Sequence, residues 1–300
     1  MLKHRFKFIM IVACFMFILA GCGSSNSNGN ETGEKKEDKS LKLAYVAWDS
    51  EIASTNVVKY VLEEKLGYDV EMLQVDAGPM WAGVSDGSAD AMVAAWLPYT
   101  HKDYYSKNEG KFDDLGQNLD GAKLGLVVPE YVDLNSVEDL AKDDTGKAFD
   151  YTIIGIEPGA GLMSATETAL NDYGLKDKWT LLESSSAAMA TQLQKAYDKK
   201  EPIIVTGWTP HWMFAKMDLK YLDDPKGSFG ATEQIHTIAR KGLKEDHPAA
   251  YKFLDQFAWT TDDMAAVMVD IVEGTSPEDA AAKWVEANND KMQKWLEGVQ

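Results

Sequence analysis

The chain has 300 residues, 45% of them hydrophobic and 26% charged, a globular composition that excludes a disordered, collagen-like or coiled-coil protein. Its 30 basic and 48 acidic residues give a net charge of −18, a field that repels phosphate backbones and argues against a nucleic-acid partner. The only long apolar run lies at the N-terminus, so a polytopic membrane protein is excluded.

That run comes first along the chain. Lys3, Arg5 and Lys7 precede 13 uninterrupted apolar residues, 8–20. A positive segment followed by an apolar stretch too short for a comfortable span reads as a signal peptide. Leu19-Ala20-Gly21-Cys22 resembles the lipobox of bacterial lipoproteins. The resemblance implies that residues 1–21 are removed and that Cys22 carries lipid; a plain signal anchor is the alternative. Residues 23–40 contain no large apolar side chain and cannot bury enough surface to order themselves. Residues 22–40 are therefore expected to form a lipidated cysteine and a flexible tether spanning roughly 20–25 Å. The other cysteine is Cys14, so the body holds no disulfide framework or cysteine metal cluster.

Beyond the tether, residues 43–48 (LAYVAW) predict a buried strand. Asp49 and Ser50 are placed to cap a helix over 51–66, with Ile52, Val57, Val61 and Leu62 on its apolar side. A strand over 70–75, a helix over 77–86 and a strand over 91–96 (AMVAAW) follow. The pattern then recurs: strand 151–156, a Pro158-Gly159-Ala160-Gly161 loop, a helix with a Ser164/Glu167 capping box, strand 180–182, helix 185–197 and strand 202–208. Both units close on a tryptophan, Trp96 and Trp208. Alternating strands and helices argue an α/β protein with a mainly parallel sheet in each of two similar lobes. The apolar segment 125–128 is placed to cross between lobes. The tail adds a strand over 235–239 and helices, one starting at Ser276-Pro277. If it returns to the first lobe, lobe 1 is 41–125 plus 235–300, lobe 2 is 126–234, and a hinge joins them.

Enzymatic motifs are missing. No nucleophile elbow, phosphate loop or paired-histidine metal spacing occurs, and His101, His211, His236 and His247 stand apart from one another. No cofactor, metal ligand or catalytic residue is assigned, although a carboxylate dyad is not visible to sequence reading. The tryptophans are more informative. Trp48, Trp96 and Trp208 each fall at the predicted carboxyl end of a strand, where open α/β sheets bind ligands. One such indole is as readily core packing; three at equivalent positions favour a site. A quaternary ammonium has no N–H donors and is held by aromatic faces, at about 2 kcal/mol or more per ring when desolvated. Free N–H groups at Gly161 and Leu162, opening a helix, would attract a carboxylate. His101 is a further candidate donor, though a lone histidine is more often structural. Trp81, Trp179, Trp259, Trp284 and Trp295 read as packing, and Trp212 with His211 as support for the loop after Trp208.

These segments match a known family. LAYVAWDSEIASTN, AGPMW, AAWLPYTHKDYY, GIEPGAGLMS, SSSAAM and IVTGWTPHWMF together resemble glycine betaine-binding proteins of ABC importers, over residues 41–300. The resemblance implies a two-lobed periplasmic-binding-protein-like (type II) fold with a hinged cleft. It implies an aromatic box of Trp48, Trp96 and Trp208, carboxylate-binding amides at Gly161 and Leu162, and a carboxylate-binding imidazole at His101. Leu162 replaces the family's isoleucine, a change that leaves its N–H intact. Tyr99 stands where some relatives have asparagine, and its bulk bears on preference among larger betaines. The expected protein is a monomer, lipid-anchored on the outer face of the cell membrane, that hands glycine betaine, and proline betaine with it, to a permease and its ATPase. Rival readings are a carnitine or choline binder of the same transport class, an enzyme acting on a trimethylammonium compound, and a non-transporting sensory or adhesion lipoprotein.

Overall fold

A computed structural model describes residues 39–142 and 144–299. The leader, Cys22 and all but the last two tether residues lie outside it, so the expectations placed on them find no test there. Among the described residues no helix is long and apolar enough to cross a membrane.

The first unit runs β1 (Ser40–Tyr45), α1 (Asp49–Glu64), β2 (Asp69–Gln74), α2 (Ala77–Asp86) and β3 (Ala91–Leu97), then α3 (Lys102–Asn108) and β4 (Phe112–Pro129). Two 3-10 turns lead to the second unit: β5 (Thr152–Ile154), α4 (Gly161–Asp172), β6 (Thr180–Leu182), α5 (Ser186–Lys199) and β7 (Val205–Thr209). The chain ends with α6 (Met213–Lys216), β8 (Leu219–Tyr221), β9 (Glu233–Arg240), α7 (Leu243–Asp246), α8 (Pro248–Gln256), α9 (Thr261–Val272), α10 (Pro277–Ala287) and α11 (Asn289–Trp295).

The strands run in the order β2-β1-β3-β9-β4-β7-β5-β6, with β8 beside β4. β1 is parallel to β2 and β3, and β5 is parallel to β6 and β7, as strand–helix alternation requires. β9 and β4 are antiparallel to their neighbours. The long strand β4 joins the two parallel groups: residues 112–122 pair with β9 and residues 123–127 pair with β7. The sheet is therefore mixed, with β4 as the common member of two halves.

Burial explains the elements. β3 is buried along its whole length, as its continuous apolar run demands for a central strand covered on both faces. α1 sinks Ala53, Val57, Val61 and Leu62 and packs on α9 and α10. The C-terminal helices gather Phe253, Phe257, Trp259, Trp284 and Trp295 into one aromatic core, with Trp284 stacked on Trp295 at 5.9 Å. Ser276 caps α10 by accepting from Asp279 N–H, with Pro277 in the first turn.

Several local expectations are corrected. β1 ends at Tyr45, so Trp48 is not a strand residue but the N-cap of α1. Asp49 and Ser50 do not cap α1, because their side chains reach indoles elsewhere. Ser164 and Glu167 lie within α4, whose N-cap is Ala160, so they form no capping box. β5 and β7 are shorter than their apolar runs. The tail helix breaks at Asn288 into α10 and α11. The first part of β4 was not expected at all, being polar and glycine-containing.

Candidate ligand-binding cavity

The two halves of the sheet meet around a small, partly open cavity. Its walls include all six residues singled out from the sequence: Trp48, Trp96, His101, Gly161, Leu162 and Trp208. Ser50, Thr100, Leu124, Ile156 and Ala160 complete the lining.

The first half supplies Trp48, Trp96 and His101. Trp48 N–H bonds back to Val46 O at 2.8 Å, which turns the chain from β1 into α1 and places the indole at the helix start. Trp96 leaves the end of β3, and His101 follows a tight turn in which His101 N–H donates to Trp96 O at 2.9 Å. In return Trp96 N–H donates to His101 Nδ1 at 3.2 Å. With Nδ1 accepting, the neutral ring carries its proton on Nε2. Nε2 is buried and has no partner among the described residues. Burial pushes the imidazole pKa down to about 3, so the ring stays neutral and offers one N–H. Its ring lies 5.8 Å from Trp48 and edge-on to Trp81 at 5.9 Å.

The second half supplies Trp208 and the start of α4. The backbone of Gly161 passes so close to Thr100 that a Cβ there would lie 2.3 Å from Thr100 O. Only glycine permits that approach. The N–H groups of Gly161 and Leu162 donate to no protein acceptor among the described residues. They are orphan donors of a 12-residue helix, at the end where its dipole favours negative charge. Glu233 of β9 fixes the opposing turn: its carboxylate accepts from Tyr99 N–H at 3.2 Å, Thr100 N–H at 3.0 Å and the Thr100 hydroxyl.

Sequence reasoning missed the groups behind the indoles. Asp49, Ser50 and Glu51 each accept from a different tryptophan. Trp212 Nε1 donates to Asp49 Oδ1 at 2.8 Å, Trp208 Nε1 to Ser50 Oγ at 3.2 Å, and Trp96 Nε1 to Glu51 Oε1 at 2.7 Å. Asp49 also accepts from Ser186 Oγ at 2.6 Å and lies 3.4 Å from His211 Nε2. Burial works to raise the Asp49 pKa, but His211, Ser186 and Trp212 outweigh it and hold the carboxyl at about 2. Glu51 is fully buried, and burial raises its pKa to about 7 against hydrogen bonds from Trp96, Ser54 and Ser50. Three polar residues in a row, Asp49-Ser50-Glu51, directly after Trp48 were the available signal; read locally, the first two look like helix caps. Tyr99 does not line the cavity. It is half exposed and packs on Gly230. Trp81 is fully buried behind His101 and Tyr104, as packing requires.

The cavity thus has aromatic faces on several sides and bare N–H donors on one. It suits a small solute carrying a diffuse positive charge and a carboxylate. Among the described residues no group of three acidic, histidine or cysteine side chains could hold a metal ion.

Residues 39–287 match the family described as the substrate binding domain of ABC-type glycine betaine transport system. A glycine betaine/carnitine transport binding protein, GbuC, of Listeria monocytogenes is 57% identical over 161 residues. That match takes in 53% of this chain and 54% of the Listeria protein, about half of each. The crystal structure of lactococcal OpuAC, closed and complexed with glycine betaine, is 50% identical, with a TM-score of 0.81 over 86% of this chain and 100% of that one. A glycine betaine/L-proline-binding protein (ProX) of Borrelia burgdorferi is 38% identical, with a TM-score of 0.81 over 86% of this chain and 96% of that one. These are substrate-binding proteins and not enzymes, in agreement with the absence of catalytic motifs from the sequence. The chain belongs to the family of substrate-binding domains of ABC-type glycine betaine transport systems.

Proposed function

We propose that the chain captures glycine betaine outside the cytoplasmic membrane and delivers it to an ABC permease driven by an ATPase. One observation carries the reading: three indoles and a neutral imidazole converge on a cavity whose facing wall presents the unpartnered N–H groups of Gly161 and Leu162. The trimethylammonium group sits among Trp48, Trp96 and Trp208, where it loses no hydrogen bond on leaving water. The carboxylate takes the amides of Gly161 and Leu162 and the Nε2–H of His101. Residues 41–125 with 235–300 form one lobe and residues 126–234 the other. Ligand bridges them and favours the form in which they meet.

The polar contacts between the two halves support that closure. Asp49 with Ser186 and Trp212, Ser50 with Trp208, and Tyr104 with Gly159 O at 2.8 Å all join residues of one lobe to the other. A lipidated Cys22 keeps the monomeric body at the membrane beside the permease, provided more than one acyl chain is attached. Isothermal titration of the body with glycine betaine, proline betaine, carnitine and choline tests the reading. One-to-one binding of the two small betaines is expected. Preference for carnitine, named in the Listeria relative, or for choline would move the proposal to that ligand. Heat from none of the four would overturn it.

A further inference from the structure

The wall behind Trp96 holds a group that the cage itself does not use. Glu51 is fully buried and does not touch the cavity. Its Oε1 accepts from Trp96 Nε1 at 2.7 Å and its Oε2 from Ser54 Oγ at 3.2 Å. No basic side chain pairs with it among the described residues. A buried carboxyl without a cationic partner is costly, and protein interiors normally supply one.

The other acids near the cavity are already committed. Asp49, on the same helix, faces His211, Ser186 and Trp212. Glu157, after β5, accepts from Ser186 N–H at 3.1 Å. Glu233, on β9, is taken up by the turn at Thr100. On the helices that pack against α1, Asp263 is paired with Lys291, Asp270 with Lys283, and Glu286 accepts from Tyr60. Among the strands beside α1, Glu71 of β2 pairs with Lys42 of β1 at the surface. Glu157 and Glu233 likewise accept only from neutral donors, but of the three only Glu51 is completely buried.

We infer that Glu51 is a specificity-determining positioning residue: it holds Trp96 in the cage, and its carboxylate, which has no cationic partner, makes the cavity select a quaternary-ammonium head over a neutral tert-butyl head of the same shape. This rests on the quaternary-ammonium reading of the cavity. A hydrogen bond from the indole N–H to a carboxylate draws negative charge onto the ring and strengthens its face toward a cation. The ligand's own charge is then the counter-ion that Glu51 lacks. Burial raises the pKa of the free carboxyl to about 7. A cation favours the ionised form, so binding releases a proton and affinity for the cation rises with pH through that region.

The test compares glycine betaine with tert-butylacetate, which has carbon in place of nitrogen and keeps both the shape and the carboxylate. In the wild type, betaine is preferred. In Glu51→Gln, whose amide oxygen still accepts from Trp96, the betaine-to-isostere affinity ratio narrows by about tenfold, the size expected for one fixed charge at an intermediate dielectric. Glu51→Asp retains most of the wild-type ratio. Equal losses for both ligands in Glu51→Gln, with the ratio unchanged, would mean a structural role only and overturn the inference while leaving the betaine reading intact. A wild type that binds neither ligand overturns both. A second measurement needs no variant. Titration in two buffers of different ionisation enthalpy, near neutral pH, should show more proton release with betaine than with the isostere. Equal proton counts for the two ligands would also overturn the inference. His101, Asp49, Glu157, Glu233 and His211 are the other titratable groups around the site, and loss of the proton signal in Glu51→Gln assigns it to Glu51.

Discussion

The two strand–helix units put opposite chemistry at the same place. Each has a parallel strand, a turn and a helix start, and each ends in Trp-X-Pro followed by a buried histidine, at Trp96 and His101 in one and Trp208 and His211 in the other. In the first unit the helix opens with Trp48-Asp49-Ser50-Glu51, all side chain: one indole for the cavity and three acceptors for other indoles. In the second it opens with Ala160-Gly161-Leu162, almost all backbone, with orphan N–H groups toward the cavity. A solute with a positive and a negative end needs both surfaces. Two copies of one unit provide them because a helix start can be dressed with side chains or left bare. The histidines diverge in the same way. His101 keeps Nε2 free beside the cavity, whereas His211 Nδ1 accepts from Met213 N–H at 3.1 Å and its Nε2 faces Asp49.

That contrast can be broken from either side. Trp208→Ala removes the only indole the second unit gives the cage, and we expect the largest loss of betaine affinity, about 2–4 kcal/mol by titration calorimetry. Melting of the unliganded protein should change less than the affinity. Gly161→Ala attacks the bare helix start. Its Cβ would fall 2.3 Å from Thr100 O, so the two halves cannot meet as they do here. An overpacking cost of about 1–3 kcal/mol should appear as lost affinity, with the unliganded melting temperature unchanged. Affinity equal to wild type would show that the approach of Gly161 to Thr100 is not part of the bound state.

His101→Ala removes a neutral N–H donor from a charged carboxylate and should cost about 1.5 kcal/mol of betaine affinity. Because the ring is neutral far below pH 7, its contribution should be flat from pH 5 upward. Asp49→Asn is the smallest change, about 1 kcal/mol of stability once partial exposure is allowed for. Its sign with pH is fixed: the folded carboxyl lies at about 2 against an ordinary 3.8, so its stabilisation is complete above the ordinary value and fades as pH falls through about 2. Acid unfolding curves of wild type and Asp49→Asn should therefore converge near that pH.

Much of this site was legible in the sequence, because periodicity places residues relative to strands. Trp96 and Trp208 stand at the ends of apolar runs, and the Gly161 loop stands between a strand and a helix, so three of the cavity's anchor points follow from local pattern. What escaped reading is non-local. Asp49 and Ser50 look like capping residues, and Glu51 like the first residue of the helix, until the chain brings Trp212, Trp208 and Trp96 to them from as far as 163 positions away. The first part of β4 escaped because Asp113-Asp114 and Gly116 break any strand pattern. Pairing with β9 overrides that local preference. Trp48 lines the cavity from a different element than expected, since the apolar run continues past the end of β1 into the helix cap.

The central claim is that the two units receive the two ends of one zwitterion. The measurement that tests it most directly is a crystal structure of residues 39–300 with glycine betaine bound. The account predicts the trimethylammonium group among Trp48, Trp96 and Trp208, and the carboxylate about 3 Å from the N–H groups of Gly161 and Leu162 and from His101 Nε2. A carboxylate directed away from Gly161 and Leu162, or ligand bound outside this cavity, would contradict it.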